Sequence, residues 1–213
     1  MPTKTTINAN HPAPRSARRR LVLASTSRYR RMLLERLGLA FVAVAPGVDE
    51  APLARETPGA TALRLSEAKA RSVAVAHPDA LIIGSDQVAD CEGRAIGKPG
   101  THERAVAQLA RLSGRSVVFH TGLALLDAAT GECQAAMVDV RSTFRRLSAA
   151  EIESYLRRER PYDCAGAVRS EALGIALFES IESDDPTALI GLPLIRLTGM
   201  LLAAGVPVLG RPQ

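Results

Sequence analysis

The sequence predicts an α/β protein built on one mixed sheet with helices packed around it. Three observations carry that reading. Short apolar runs with strand character alternate along the chain with segments of helical periodicity. Val117 to Leu126 and Val138 to Phe144 flank a turn at Ala128-Ala129-Thr130-Gly131, which makes an antiparallel hairpin in the middle of that alternation. Hydrophobic residues form 46% of 213 residues, enough for a sizeable core, and no apolar run approaches the roughly 20 residues of a membrane span.

The elements follow in order. Leu21-Val22-Leu23-Ala24 is a short buried strand. Ser25-Thr26-Ser27 caps a helix from about Arg28 to Leu37, which Gly38 closes. A strand, a Ser-rich turn and a helix N-terminus together make an anion site, because free N–H groups and the positive end of the dipole face the turn. Arg28, Arg30 and Arg31 oppose that dipole, so the cluster costs stability until an anion arrives. Phe41 to Val48 reads as a second strand ending at Asp49-Glu50. Thr57-Pro58 opens a helix with Pro at its first position, and it runs through Lys69 to Ala76. Ala80-Leu81-Ile82-Ile83 is a buried strand that Gly84 ends. Asp86 then stands at a strand exit, where open α/β sheets hold ligands. The Gly97-Lys98-Pro99 turn offers a cation to the same cleft. Thr101 caps a helix that ends near Ser113-Gly114. Ser148-x-x-Glu151 is a capping box for a helix through Leu156. Leu173 to Phe178 is a further strand. Pro193 starts the last helix, and Gly205 ends it.

Composition narrows the function. A net charge of +5 and a pI near 9.6 attract polyanions. Only 3% of residues are aromatic, which leaves no stacking platform for single-stranded nucleic acid and weighs against a nucleic-acid binder. A nucleoside triphosphate answers the same charge with one basic cleft. Cys91, Cys133 and Cys164 are odd in number and widely spaced, with no Cys-x-x-Cys pair. A structural zinc or a disulfide framework is disfavoured, and a reduced, cytosolic setting fits. Residues 1–19 carry Arg15, Arg18 and Arg19, no acid and no apolar h-region. They read as a disordered polar tail and not a secretory signal, ahead of a single domain over residues 20–213. Of 27 basic residues only Lys4, Lys69 and Lys98 are lysine. A compact ammonium suits a phosphate oxygen where a flat guanidinium fits poorly.

Leu23-Ala24-Ser25-Thr26-Ser27-Arg28-Tyr29-Arg30-Arg31-x-Leu33-Leu34 resembles the N-terminal signature of the Maf family of nucleotide pyrophosphatases. Val48-Asp49-Glu50, Glu67-Ala68-Lys69-Ala70, Gly84-Ser85-Asp86-Gln87-Val88, Gly97-Lys98-Pro99 and Gly191-Leu192-Pro193-Leu194 follow in the family's order. The resemblance covers roughly residues 20 to 210. It implies a mixed-sheet fold like that of inosine-triphosphate pyrophosphatases, two lobes around a central cleft, and hydrolysis of a nucleoside triphosphate to monophosphate and pyrophosphate. Gly-Ser-Asp-Gln-Val and Ser170-Glu171-Ala172 resemble the subgroup acting on 7-methyl-GTP. The dTTP/UTP subgroup usually reads Gly-Ala-Asp-Thr-Val and has Gln at the position of Glu171. Tyr29 stands where related sequences often carry Trp, and Arg28 where Pro is common.

On that resemblance Asp86 is the expected catalytic carboxylate, holding a divalent metal or orienting the attacking water. Glu50 is the second carboxylate. Oxygen ligands and phosphates favour Mg²⁺ or Mn²⁺. Ser25, Arg30, Lys69 and Lys98 are expected to grip the phosphates. Chemistry alone does not separate Arg30 from Arg31; the family signature favours Arg30. A 7-methylguanine ring is cationic, so Tyr29 offers it a π face, Glu171 a carboxylate for the N1 and N2 edge, and Gln87 a further polar group. Alternatives stay open: dTTP, UTP or a noncanonical purine as substrate, or a nucleotide-binding regulator of cell division. A homodimer is also left open.

Overall fold

The computed structural model describes residues 19–209. The expected tail lies outside these residues except for Arg19, whose guanidinium pairs with Asp127. Seven strands form one mixed sheet: β1 (Leu21–Ala24), β2 (Phe41–Val44), β3 (Leu81–Cys91), β4 (Arg94–Ile96), β5 (Ser116–Asp127), β6 (Cys133–Phe144) and β7 (Phe178–Glu182). Five helices surround it: α1 (Arg28–Glu35), α2 (Pro58–Ser72), α3 (His102–Leu112), α4 (Ala149–Glu159) and α5 (Leu194–Ala203). The strand order is β2-β1-β3-β5-β6-β7, with β4 paired on β3. β1 runs parallel to β2 and β3, and the remaining ladders are antiparallel.

Local chemistry starts the helices. Ser27, Thr57, Thr101 and Ser148 each accept a backbone N–H of the first turn of α1, α2, α3 and α4, and the Ser148–Glu151 capping box is complete. Apolar burial then places them. Leu33 and Leu34 of α1 and Leu197 and Leu201 of α5 pack on Leu21, Leu23, Leu81 and Ile83. Ala70 of α2 and Val73 just after it cover the other face over Val22, Ile82 and Ala124. A second lobe packs Leu109 and Leu112 of α3 and Ile152 and Leu156 of α4 against Phe119, Val140 and Phe144. β3, β5 and β6 are long enough to serve both lobes, which joins the lobes through one sheet and leaves a cleft between them.

Four expectations give way. α2 ends at Ser72 and not Ala76, and a separate 3₁₀ turn covers Ala74–Ala76. β3 does not end at Gly84 but runs 11 residues through it, so Asp86 sits inside the strand and not at its exit. Gly84 is there for clearance: a Cβ would come within 2.0 Å of the Ser66 carbonyl oxygen. Gly122, the cross-strand partner of Asp86, would place one 2.3 Å from the Ala62 carbonyl oxygen. The two glycines let α2 lie directly on the sheet. β2 stops at Val44 and not Val48, because Pro46 lacks an N–H and Gly47 turns the chain at positive φ. Leu173–Leu177 winds into 3₁₀ turns, and the strand starts at Phe178. β7 is an edge strand whose polar residues Glu179, Ser180 and Glu182 hide it from an apolar-run reading.

Candidate active site

A cleft of about 760 Å³ opens between the lobes, where the turn after β1, the loop 45–57, α2, the middle of β3 and the 97–98 turn meet. Every side chain expected to act lines it: Ser25, Tyr29, Arg30, Glu50 and Lys69, and with them Asp86, Gln87, Lys98 and Glu171.

The close seat of α2 on the sheet brings Lys69 over Asp86, and both are nearly buried, at 4% and 7% exposure. Lys69 Nζ lies 2.6 Å from Asp86 Oδ1 and 2.6 Å from Glu50 Oε1. Sequence reading made Lys69 a phosphate ligand alone. Its ammonium also joins two carboxylates, and one of its three N–H donors stays uncommitted. Burial works against the charge on Glu50, but Lys69, with Lys98 and Arg30, outweighs it and holds the carboxyl below the usual range.

Beside this knot Ser25 and Arg30 meet. Ser25, in the turn before α1, accepts from the Ser27 N–H at 3.1 Å and from Arg30 Nη1 at 3.4 Å. Arg30 Nε donates to the Gly191 carbonyl at 2.9 Å. Among the described residues Arg30 has no ion-pair partner. Burial pushes its guanidinium down from its usual value, with Asp86 and Glu50 opposing. Arg30 is half-buried, and its guanidinium is met here by neutral acceptors alone. Arg31 is exposed and does not line the cleft, whereas Arg30 does. Lys98 is exposed at the rim and also lacks an ion pair among the described residues.

The far end of the cleft is more crowded than the sequence suggested. The Tyr29 ring already has the Arg28 guanidinium 4.7 Å and the Arg169 guanidinium 5.7 Å from its centroid. Arg169 is held by Glu159 at 2.9 Å and lies 3.7 Å from Glu171. Gln87 spends its amide donors on Thr121 Oγ1 and on the Ala188 and Leu189 carbonyls, which leaves its oxygen as the group without a partner among the described residues. Cys164 also lines this end. Burial pushes its thiol up to about 11, so it stays protonated at neutral pH.

Sequence reasoning missed the clamp that holds Glu50. Arg64 of α2 donates to both oxygens of Glu56, at 2.6 and 2.8 Å, and to the Ala51 carbonyl at 3.1 Å. Glu56 also takes the Leu53 N–H at 3.0 Å, and its carboxyl is held at about 2. This ties the loop 50–57 onto α2. A glutamate and an arginine eight apart across a helix start match no familiar spacing. Among the described residues no group of three or more His, Cys, Asp or Glu converges as a metal cage. The two carboxylates at Lys69 bring hard oxygen donors together, a set that suits Mg²⁺ or Mn²⁺ once phosphate and water complete the shell.

The family model described as Maf-like protein matches residues 20–204. The chain is 58% identical over 190 residues to the 7-methyl-GTP pyrophosphatase of Cupriavidus metallidurans, covering 89% of this chain and 96% of that protein. It is 59% identical over 192 residues to the protein of the same name from Thiobacillus denitrificans, covering 90% and 96%. A third, from Burkholderia orbicola, is 59% identical over 192 residues, covering 89% and 91%.

Proposed function

The chain belongs to the Maf-like protein family, and from that premise we propose that it hydrolyses 7-methyl-GTP to 7-methyl-GMP and pyrophosphate, clearing a modified nucleotide. The observation that carries the reading is the juxtaposition in one cleft of two carboxylates on a buried ammonium with a half-buried guanidinium that has no ion pair among the described residues. One half suits water activation, the other a polyphosphate.

Water attacks the α-phosphorus and pyrophosphate leaves, so the residues work by positioning and charge neutralisation. Asp86 keeps one oxygen on Lys69 and turns the other, unpaired among the described residues, to orient the water and take its proton. Lys69 fixes that carboxylate. Ser25, Arg30 and Lys98 hold the phosphates, and the free N–H of Lys69 serves the same charge. Glu50 and Asp86 would hold a divalent cation, Mg²⁺ or Mn²⁺, which would neutralise phosphate charge when bound. Glu171 and the Gln87 oxygen accept from the guanine edge, and Tyr29 packs against the ring.

The test is pyrophosphate release from 7-methyl-GTP, GTP, dTTP, UTP and ITP by the purified protein. The highest kcat/KM is expected for 7-methyl-GTP. Preference for dTTP, UTP or ITP replaces the substrate, and no release from any of the five returns the regulatory alternative.

A further inference from the structure

Asp185 is a buried carboxylate that the chemistry above does not use. It is 2% exposed and in no ion pair among the described residues. Its charge is met by backbone and hydroxyl donors instead. Oδ1 accepts from the Thr187 N–H at 3.2 Å and its hydroxyl at 2.7 Å, and Oδ2 from the Ile195 and Arg196 N–H groups at 2.7 and 3.1 Å. The last two open α5, whose N-cap Pro193 makes no side-chain cap. Asp185 therefore caps α5 from eight residues before the N-cap position, with its charge at the positive end of the dipole.

What lies between its two anchor points gives the contact a purpose. Thr187 and Ile195 bracket the segment whose carbonyls reach into the cleft wall. The Ala188 carbonyl accepts from Gln87 and Thr121 at 2.8 and 3.0 Å. The Gly191 carbonyl accepts from Arg30 Nε at 2.9 Å and lies 3.0 Å from Ser85 Oγ, whose one proton it shares with the Gly122 carbonyl at 2.8 Å. Gly191 has a φ of +116°, and a Cβ there would stand 3.6 Å from Arg30 Nε. The Thr187 oxygen closes the segment on itself by accepting the Leu194 N–H at 2.7 Å, while its one proton goes to Asp185, with the Leu192 carbonyl 2.9 Å away as the alternative acceptor. Arg30 thus takes its aim from a carbonyl whose position is set at both ends by one buried acid.

We propose that Asp185 is a positioning residue for Arg30: through Thr187, the start of α5 and the Gly191 carbonyl it sets the guanidinium that receives the triphosphate. This rests on the reading of Arg30 as a phosphate ligand.

The test uses Asp185→Asn, Thr187→Val and Thr187→Ser, each alone and in an Arg30→Ala background. Asp185→Asn presents donors to donors and loses bonds on one side. Thr187→Val loses the hydroxyl, and Thr187→Ser restores it. The readouts are KM and kcat for 7-methyl-GTP, the Kd of inorganic tripolyphosphate as a base-free probe, and Tm. Asp185→Asn and Thr187→Val should raise KM and the tripolyphosphate Kd about five- to tenfold, with kcat within about threefold, the scale of a misplaced charge-assisted bond. Thr187→Ser should recover most of that. In the Arg30→Ala background the further rise should vanish, because the group being aimed is gone. A lower Tm with unchanged KM and Kd, or effects that multiply with Arg30→Ala, overturns the proposal. If Asp185→Asn fails to fold, the Thr187 pair decides alone. If Arg30→Ala itself leaves the tripolyphosphate Kd unchanged, the phosphate role of Arg30 fails first, and separately.

Discussion

Lys69 Nζ lies 2.6 Å from Asp86 Oδ1, with both residues nearly out of solvent. Burying an ion pair is costly, and removing one member leaves a charge the interior tolerates poorly. Here the geometry blunts that penalty, because Glu50 reaches the same ammonium at 2.6 Å from a half-exposed loop. The pair can lose a proton acceptor's charge to chemistry without stranding the lysine.

Asp86→Ala is expected to cut kcat at least about 100-fold, the low end for losing a positioned base or its field. Asp86 lies inside β3, so some stability goes as well, about 1 to 3 kcal/mol, with Asn costing less than Ala. Turnover and urea unfolding on Ala and Asn variants check both. Near-normal turnover in either variant removes Asp86 from the mechanism.

Gly84→Ala is expected to be as damaging as a catalytic substitution, though it touches no substrate. The new Cβ meets backbone, 2.0 Å from the Ser66 carbonyl oxygen, so α2 must lift. Overpacking of this kind costs about 1 to 3 kcal/mol or more, and lifting α2 draws Lys69 off Asp86. Tm and kcat should fall together. A stable, fully active Gly84→Ala protein means that the helix has room to move.

Legibility followed range. Ser27, Thr57, Thr101 and Ser148 were readable as caps because a cap is decided within four residues. Gly84 was misread as a strand end, since its reason is a helix carbonyl from Ser66 that local pattern does not show. The cleft gathers all nine side chains singled out from the sequence, because ordered motifs carry the identity of a site well. Their partners were not legible. Nothing in the spacing of Glu50, Lys69 and Asp86 says that one ammonium joins both acids, and nothing near Tyr29 announces Arg169.

Arg64→Met should expose a pH-dependent part of stability. Arg64 and the Leu53 N–H lower the Glu56 carboxyl from 4.5 to about 2. A depressed folded value stabilises above the unfolded one, so the contribution is complete above about pH 4.5 and lost as pH falls toward 2. The Tm gap between wild type and Arg64→Met should therefore be widest at neutral pH and close near pH 2. A gap that does not change with pH would assign the effect to the bond with the Ala51 carbonyl instead.

Lys98 is exposed and unpaired among the described residues, so Lys98→Ala should leave stability within about 0.5 kcal/mol. KM for the triphosphate should rise clearly all the same, and Lys98→Arg should recover it only in part, because the fork differs in shape from the ammonium. Kinetics and Tm on the two variants check this. If neither substitution moves KM, Lys98 is a surface charge.

Glu171 carries the last prediction, and the structure sharpens it. The wild type should prefer 7-methyl-GTP over GTP, because methylation makes the ring cationic and Glu171 answers that charge. Glu171→Gln keeps the shape and removes the charge. It should narrow the preference mainly by weakening 7-methyl-GTP, by about 1 to 3 kcal/mol in transition-state binding. Glu171 also lies 3.7 Å from Arg169, which stands over Tyr29, so the substitution loosens that arginine too. Arg169→Met separates the two effects. It removes a cation from beside Tyr29 and Glu171 and leaves Glu171 free, so it should improve the ratio of 7-methyl-GTP to GTP where Glu171→Gln worsens it. The measurement is kcat/KM for both nucleotides in the three proteins. Equal losses for the two nucleotides in Glu171→Gln mean that the carboxylate does not read the methylated ring. A worse ratio in Arg169→Met means that the arginine holds Glu171 in its working position instead of competing for it.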